Sequence, residues 1–167
     1  DSLPLELANV FGGNTTCVSV TSASGELFIL DCGTGIRALG DRLIKEDHYR
    51  GKALMNFFIT HSHWDHIQGF PFFKPAWVSG NRIVFHAPFP DLESRFNYQH
   101  DFRFFPRTLD EMGAAKEFRR IAPGEVIETG GIQIDCIPLQ HPGGSFAYRF
   151  REGGKTFIFA TDSEFNG

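Results

Sequence analysis

Residues 61–69 read HSHWDHIQG, three histidines and an aspartate within six positions of a chain that has only seven histidines among its 167 residues. Imidazole nitrogens and carboxylate oxygens are the ligands that zinc, manganese and iron take. Crowding four ionisable groups onto one turn without a partner charge is costly. His61, His63, Asp65 and His66 are therefore read as metal ligands rather than as a polar surface turn. Positions 61 and 63 share one side of an extended segment, whereas the adjacent Asp65 and His66 are aimed apart. One loop so built can serve two metal ions, and four ligands are too few for both.

Further ligands are expected where other apolar strands stop. The run IQIDCIPL ends just before His141, and Pro142, Gly143 and Gly144 predict a tight turn there. The run KTFIFAT leads directly into Asp162. Asp31 closes ELFILD and is expected to brace the loop rather than to bind metal. Of the other histidines, His48 and His100 read as surface residues, and His86 as a structural residue more than a site residue.

The elements that must hold these side chains are read from hydrophobic period and turn residues. NTTCVSVTS and ELFILD form two strands joined at ASG. Ile36, Leu39, Leu43 and Ile44 recur at helical spacing after a glycine turn, predicting a helix over residues 35–47 with Thr34 as its cap. ALMNFFIT is a buried strand whose end carries the histidine loop, a placement that suits a rigidly held site. NRIVFHA, AKEFRRI, EVIET, GIQIDCIPL, FAYRFRE and KTFIFAT are strand-like and imply a second sheet or a large extension of the first. Residues 89–113 mix a helix with aromatic and arginine residues, as a lid or a packed connection. The GFPFF stretch is expected to be core. The alternative is that Trp64, Phe70, Phe72 and Phe73 wall the site and stack a base, with Arg95, Arg103 and Arg107 facing a phosphate. No repeat or linker interrupts the chain, so residues 1–167 are taken as one domain.

Composition narrows the class. With 41% hydrophobic and 22% charged residues the chain can bury a proper core. A net charge of −4 argues against a non-specific grip on nucleic acid and favours a small substrate. The three cysteines lack CxxC or Cys-His spacing and read as buried thiols, which places the protein in a reducing compartment, by default the cytoplasm. No apolar run reaches membrane-spanning length, so no membrane partner is expected.

With these residues in view, the chain resembles the metallo-β-lactamase superfamily of metal-dependent hydrolases. Its HxHxDH motif matches His61, His63, Asp65 and His66, its later histidine matches His141, its bridging aspartate Asp162 and its early strand-end aspartate Asp31. The resemblance implies an α/β fold, the αβ/βα sandwich of two mixed sheets flanked by helices. It implies two divalent metal ions, zinc first and manganese or iron otherwise. One is held by His61, His63 and His141, the other by Asp65, His66 and the bridging Asp162, with a hydroxide between them. Asp65 would orient that hydroxide and accept its proton. Beside His141, Ser145 and the backbone N–H groups of Gly143 and Gly144 are placed to receive a phosphate oxygen, with a plain turn as the alternative.

GGNTTCVSV, LDCGTGIRALG, HSHWDHIQGFPFFKP and HPGGSFAYRF are most similar to the phosphodiesterase branch, which includes tRNase Z and cyclic-nucleotide phosphodiesterase-like proteins. Zinc β-lactamases usually carry Cys where this chain has Asp162, which disfavours an antibiotic hydrolase. The expected function is hydrolysis of a small phosphodiester such as a cyclic nucleotide, ahead of a folded nucleic acid, with a homodimer compatible with the reading. A thioester or lactone hydrolase of the same fold and a non-catalytic metal-binding sensor are the alternatives. The family's last ligand is a histidine well beyond the bridging aspartate, so it and the end of the fold are expected after Gly167.

Overall fold

A computed structural model describes residues 13–164. Two sheets carry the architecture. The first has the order β1-β2-β3-β4-β5, from Val18–Thr21, Leu27–Leu30, Leu54–Phe58, Arg82–Ala87 and Ala115–Arg120. The second has the order β6-β7-β8-β9, from Ile127–Thr129, Ile132–Leu139, Ser145–Glu152 and Lys155–Phe159.

In the first sheet β1 is antiparallel to β2, and the pairs from β2 to β5 are parallel. Parallel neighbours need crossovers, and three helices supply them: α1 (Gly35–Leu43), the short α2 (Trp64–Ile67) and α3 (Leu92–Gln99). The expected helix over residues 35–47 stops at Leu43, and a 3-10 turn at Asp47–Tyr49 follows. Thr34 does precede α1, but its side chain does not cap it. Its hydroxyl accepts from Thr15 N–H at 2.7 Å, while Thr34 N–H donates to the Thr15 hydroxyl at 2.8 Å. The threonine thus ties down the segment before β1.

Among the described residues the second sheet is antiparallel throughout, not mixed as expected. Its connections are short turns, including the glycine pairs at 130–131 and 153–154, all four with positive φ. Turns of that length can join only antiparallel strands.

Period-two alternation divides the apolar residues between two cores. Leu27, Ile29, Met55, Phe57, Ile83 and Phe85 pack against the helices, with Ile36, Leu39 and Phe96 among their partners. Phe28, Leu30 and Phe58 turn the other way and meet Ile134, Tyr148 and Phe150 of the second sheet. Among the described residues helices cover only the first sheet, and Ile137 and Ile158 of the second are exposed. Residues 89–113 are a packed connection: Leu92, Phe96, Leu109 and Met112 all enter the helix-side core. Cys32 and Cys136 are buried as expected, and Cys17 is half-buried. Among the described residues no helix is long and apolar enough to cross a membrane.

Candidate metal centre

Four strands end at one edge of the sandwich. The chain continues from β2 into Asp31, from β3 into Thr60 and the histidine loop, from β7 into His141, and from β9 into Asp162. β7 and β9 flank β8, each antiparallel to it, so their C-terminal ends lie on the same side. Phe146 N–H donates to Thr60 O at 3.0 Å, docking the start of β8 on the histidine loop, and Glu164 N–H donates to Gln140 O at 2.7 Å, joining the loops of His141 and Asp162.

The six predicted ligands are brought together in two groups. One contains His61, His63, His141 and Asp162, the other Asp65, His66 and Asp162, and within each group the donor atoms all lie within 4.8 Å of one another. Asp162 belongs to both. Its Oδ2 is 3.9 Å from His61 Nε2 and 3.6 Å from His141 Nε2, and its Oδ1 is 3.3 Å from His66 Nε2. His141 Nε2 also approaches His63 Nδ1 to 3.1 Å, and His66 Nε2 lies 3.4 Å from Asp65 Oδ2.

Hydrogen bonds behind the ligands set which imidazole nitrogen faces inward. Asp31, fully buried and in the left-handed region at φ 56°, accepts from Thr60 N–H at 2.8 Å and from the Thr60 hydroxyl at 2.7 Å. It also accepts from His66 Nδ1–H at 2.7 Å, which leaves the His66 Nε2 lone pair toward Asp65 and Asp162. The Thr60 hydroxyl, its proton committed to Asp31, accepts from His61 Nδ1–H at 3.1 Å. His61 Nε2 is then a buried acceptor with no hydrogen-bond partner among the described residues. A nitrogen lone pair held out of water and aimed among other acceptors fits a cation, and the six donors fit divalent metal ions on this ground.

Electrostatics set the two buried histidines apart. Burial, reinforced by the neighbouring His66 and His63, pushes the His61 imidazole down to about 4, so it is neutral at neutral pH and free to donate its lone pair. Burial opposes protonation of His66 too, but the hydrogen bond and charge of Asp31, with Asp65 and Asp162, more than offset it and raise His66. Burial raises the Asp31 carboxyl, against the pull of His66 and Thr60.

Other sequence expectations fare differently. Gly144 N–H is committed to His141 O at 2.9 Å, and Ser145 is fully buried, its hydroxyl without a hydrogen-bond partner among the described residues. Phe70 and Phe73 are core, whereas Trp64 and Phe72 are exposed. Arg95, Arg103 and Arg107 pair with Asp91, Asp101 and Glu111. His86 is buried away from the ligands, its ring stacked on Phe58 at 4.6 Å, as a structural residue. His48 is exposed, but His100 is buried, not a surface residue: its Nδ1–H donates to Phe96 O at 2.9 Å and its ring meets Phe70 and Phe105. Sequence reasoning missed Thr60, whose hydroxyl links Asp31 to His61; its place between an apolar strand and the first histidine was the available signal.

A family model described as the β-lactamase superfamily domain matches residues 27–166. Among curated proteins, the chain is 29% identical over 140 residues to a ribonuclease Z of Acaryochloris marina, covering 82% of this chain and 41% of that protein. It is 28% identical over 130 residues to a ribonuclease Z of Picosynechococcus, covering 76% and 38%. The chain thus spans about two fifths of the length of these relatives. Among solved structures, the metallo-β-lactamase fold protein YhfI of Bacillus subtilis superposes with a TM-score of 0.63 at 19% identity, covering 93% of this chain and 58% of that one. The short form of human tRNase Z gives 0.62 at 18%, covering 89% and 62%. Yeast PDE1 gives 0.61 at 15%, covering 86% and 59%. With the family model spanning most of its length and its fold shared by these structures, the chain belongs to the metallo-β-lactamase superfamily.

Proposed function

We propose that this chain carries a dinuclear metal centre that hydrolyses phosphodiester bonds, with a small nucleotide such as a cyclic nucleotide as its substrate. The observation that carries the reading is the sharing of Asp162 by two ligand groups, each with its donor atoms within 4.8 Å. His61, His63 and His141 hold one divalent ion and Asp65 and His66 the other. Zinc suits this imidazole-rich set, and manganese and iron take the same ligands. Two such ions supply Lewis acidity, lowering the pKa of a water and neutralising the non-bridging oxygens of a phosphodiester.

The chain's own residues do the rest. Thr60 and Asp31 keep His61 and His66 in the tautomer that presents Nε2. Asp65, whose side chain is half-exposed at the mouth of the site, accepts the proton of the attacking water on its carboxylate. The name of the curated relatives, ribonuclease Z, supports phosphodiester chemistry. It also favours a second reading in which the substrate is RNA. The small substrate is preferred because acidic residues outnumber Lys and Arg, 20 to 16, and the three arginines of residues 89–113 are each engaged by a carboxylate.

The test is turnover of bis(p-nitrophenyl) phosphate by the metal-loaded protein, followed by comparison of a cyclic nucleotide with a 3′-extended RNA hairpin. Asp65→Ala is expected to lower the rate by roughly a hundredfold to ten-thousandfold. Hydrolysis of thioesters with no phosphodiester turnover overturns the reading, and faster cleavage of the RNA transfers it to the second one.

A further inference from the structure

We propose that an exposed aromatic face on the helix side of the first sheet docks a second copy of this chain, giving a dimer with two-fold symmetry. Of the nine large apolar or aromatic side chains exposed among the described residues, five come from two short stretches: Trp64 and Phe72, and Tyr98, Phe102 and Phe104. The two stretches meet. Trp64 and Tyr98 line one cavity of about 480 Å³. The Tyr98 ring lies 5.9 Å from that of Phe104, and Phe105, next in the chain, brings its ring to 5.8 Å from Phe72. The face thus begins at the histidine loop and runs across the end of α3.

Size, composition and charge name the occupant. At ~150–250 Å² per aromatic side chain, five rings each more than half exposed present on the order of 600 Å². That is the upper end of what a monomer leaves uncovered, and it approaches the ~800 Å² that each partner gives to a standard interface. The stems of Arg103 and Arg107, 61% and 55% exposed, extend it. Trp, Tyr, Phe and Arg are the residues enriched where proteins meet. The arginines are neutralised within the face: Arg95 pairs with Asp91 at 3.0 Å, Arg103 with Asp101 at 2.7 Å and Arg107 with Glu111 at 3.3 Å. Single-stranded nucleic acid on a stacking platform relies on cations free for its phosphates, and these three are engaged. A second copy needs no free cation, and arginines already paired do not repel their twins across a two-fold axis.

Self-association also needs a shape that closes. Phe102 is 81% exposed, the most of the five, and the cavity between Trp64 and Tyr98 has room for a phenyl ring. Because projection and hollow lie on one face, a two-fold rotation seats each Phe102 in the cavity of the other copy. The contact is then complete at two chains instead of propagating. None of this depends on the phosphodiester reading.

Sedimentation equilibrium of the metal-loaded protein tests the face, beside Phe102→Asp, Tyr98→Ser and Ile158→Asp. Ile158, 60% exposed on the second sheet, is the control for the other apolar surface. The parent is expected to dimerise at micromolar concentration. Phe102→Asp and Tyr98→Ser should each weaken the dimer roughly thirtyfold or more, and Ile158→Asp should leave it unchanged. All three side chains are exposed, so the far-ultraviolet circular dichroism of each variant should match that of the parent. A monomeric parent, a dimer that survives either of the first two substitutions, or one that Ile158→Asp breaks overturns the proposal. So does a monomer that binds single-stranded RNA through this face instead.

Discussion

Asp31 Oδ2 accepts a hydrogen bond from His66 Nδ1 at 2.7 Å, and neither side chain is accessible to solvent. The same carboxylate receives both the N–H and the hydroxyl of Thr60, so one buried group sets the orientation of His66 directly and of His61 through Thr60. Asp31→Asn keeps the shape and tolerates the left-handed backbone at φ 56°, but removes the charge and presents an N–H where an acceptor is needed. Affinity for the metal held by Asp65, His66 and Asp162 is expected to fall roughly tenfold to a hundredfold. A competition titration against a chelator of known affinity measures it, and an unchanged affinity would deny Asp31 its role.

Gly33 and the histidine loop are in backbone contact. A Cβ added at Gly33 would collide with the Asp65 carbonyl and the Thr15 hydroxyl, and would come within 2.7 Å of Thr16 O. Two of these are backbone atoms and cannot rotate away. Gly33→Ala is therefore expected to destabilise the fold by about 1–3 kcal/mol and to displace Asp65. Urea unfolding gives the first effect, and metal content per folded chain, expected to drop, gives the second.

Much of this site is legible from local pattern alone. The ligands lie immediately after apolar runs, and a parallel or alternating sheet brings such ends together whatever the details between them. His141 and Asp162 could be picked out for that reason, although they stand 21 positions apart in the chain. What escapes is decided by tertiary partners. His100 looks like any isolated polar residue, yet its ring fills a gap between Phe70 and Phe105, and Phe96 O, one helical turn back, takes its proton. Thr34 stands where a cap belongs, but Thr15, 19 residues away, captures its hydroxyl. Ser145 sits in a glycine turn that looks open from sequence, but pairing of Ser145 with Leu139 at the start of β8 buries it.

His86 gives the fold a pH dependence that is independent of metal. It is buried between the sheets, stacks on Phe58, donates from Nε2 to Asn56 Oδ1 at 3.1 Å and has Arg119 and Glu117 nearby. Burial, aided by Arg119, lowers its imidazole from 6.5 to about 4. The unfolded chain thus takes up the proton first as pH falls. Its stabilising contribution is whole above pH 6.5 and is lost on acidification toward about 4. The full loss is about 3 kcal/mol. His86→Phe keeps a stacked ring with nothing to titrate. Its unfolding free energy should decline less steeply across that window than that of the parent protein, and parallel curves would contradict the assignment.

The central claim is that one carboxylate, Asp162, joins two ligand groups into a single dinuclear centre. Metal content per folded chain, determined by elemental analysis for the parent protein and for Asp162→Ala, tests it most directly. About two divalent ions are expected in the parent, with both sites weakened together in the variant. Fewer than one ion per chain in the parent, or a variant that retains both, would contradict the account.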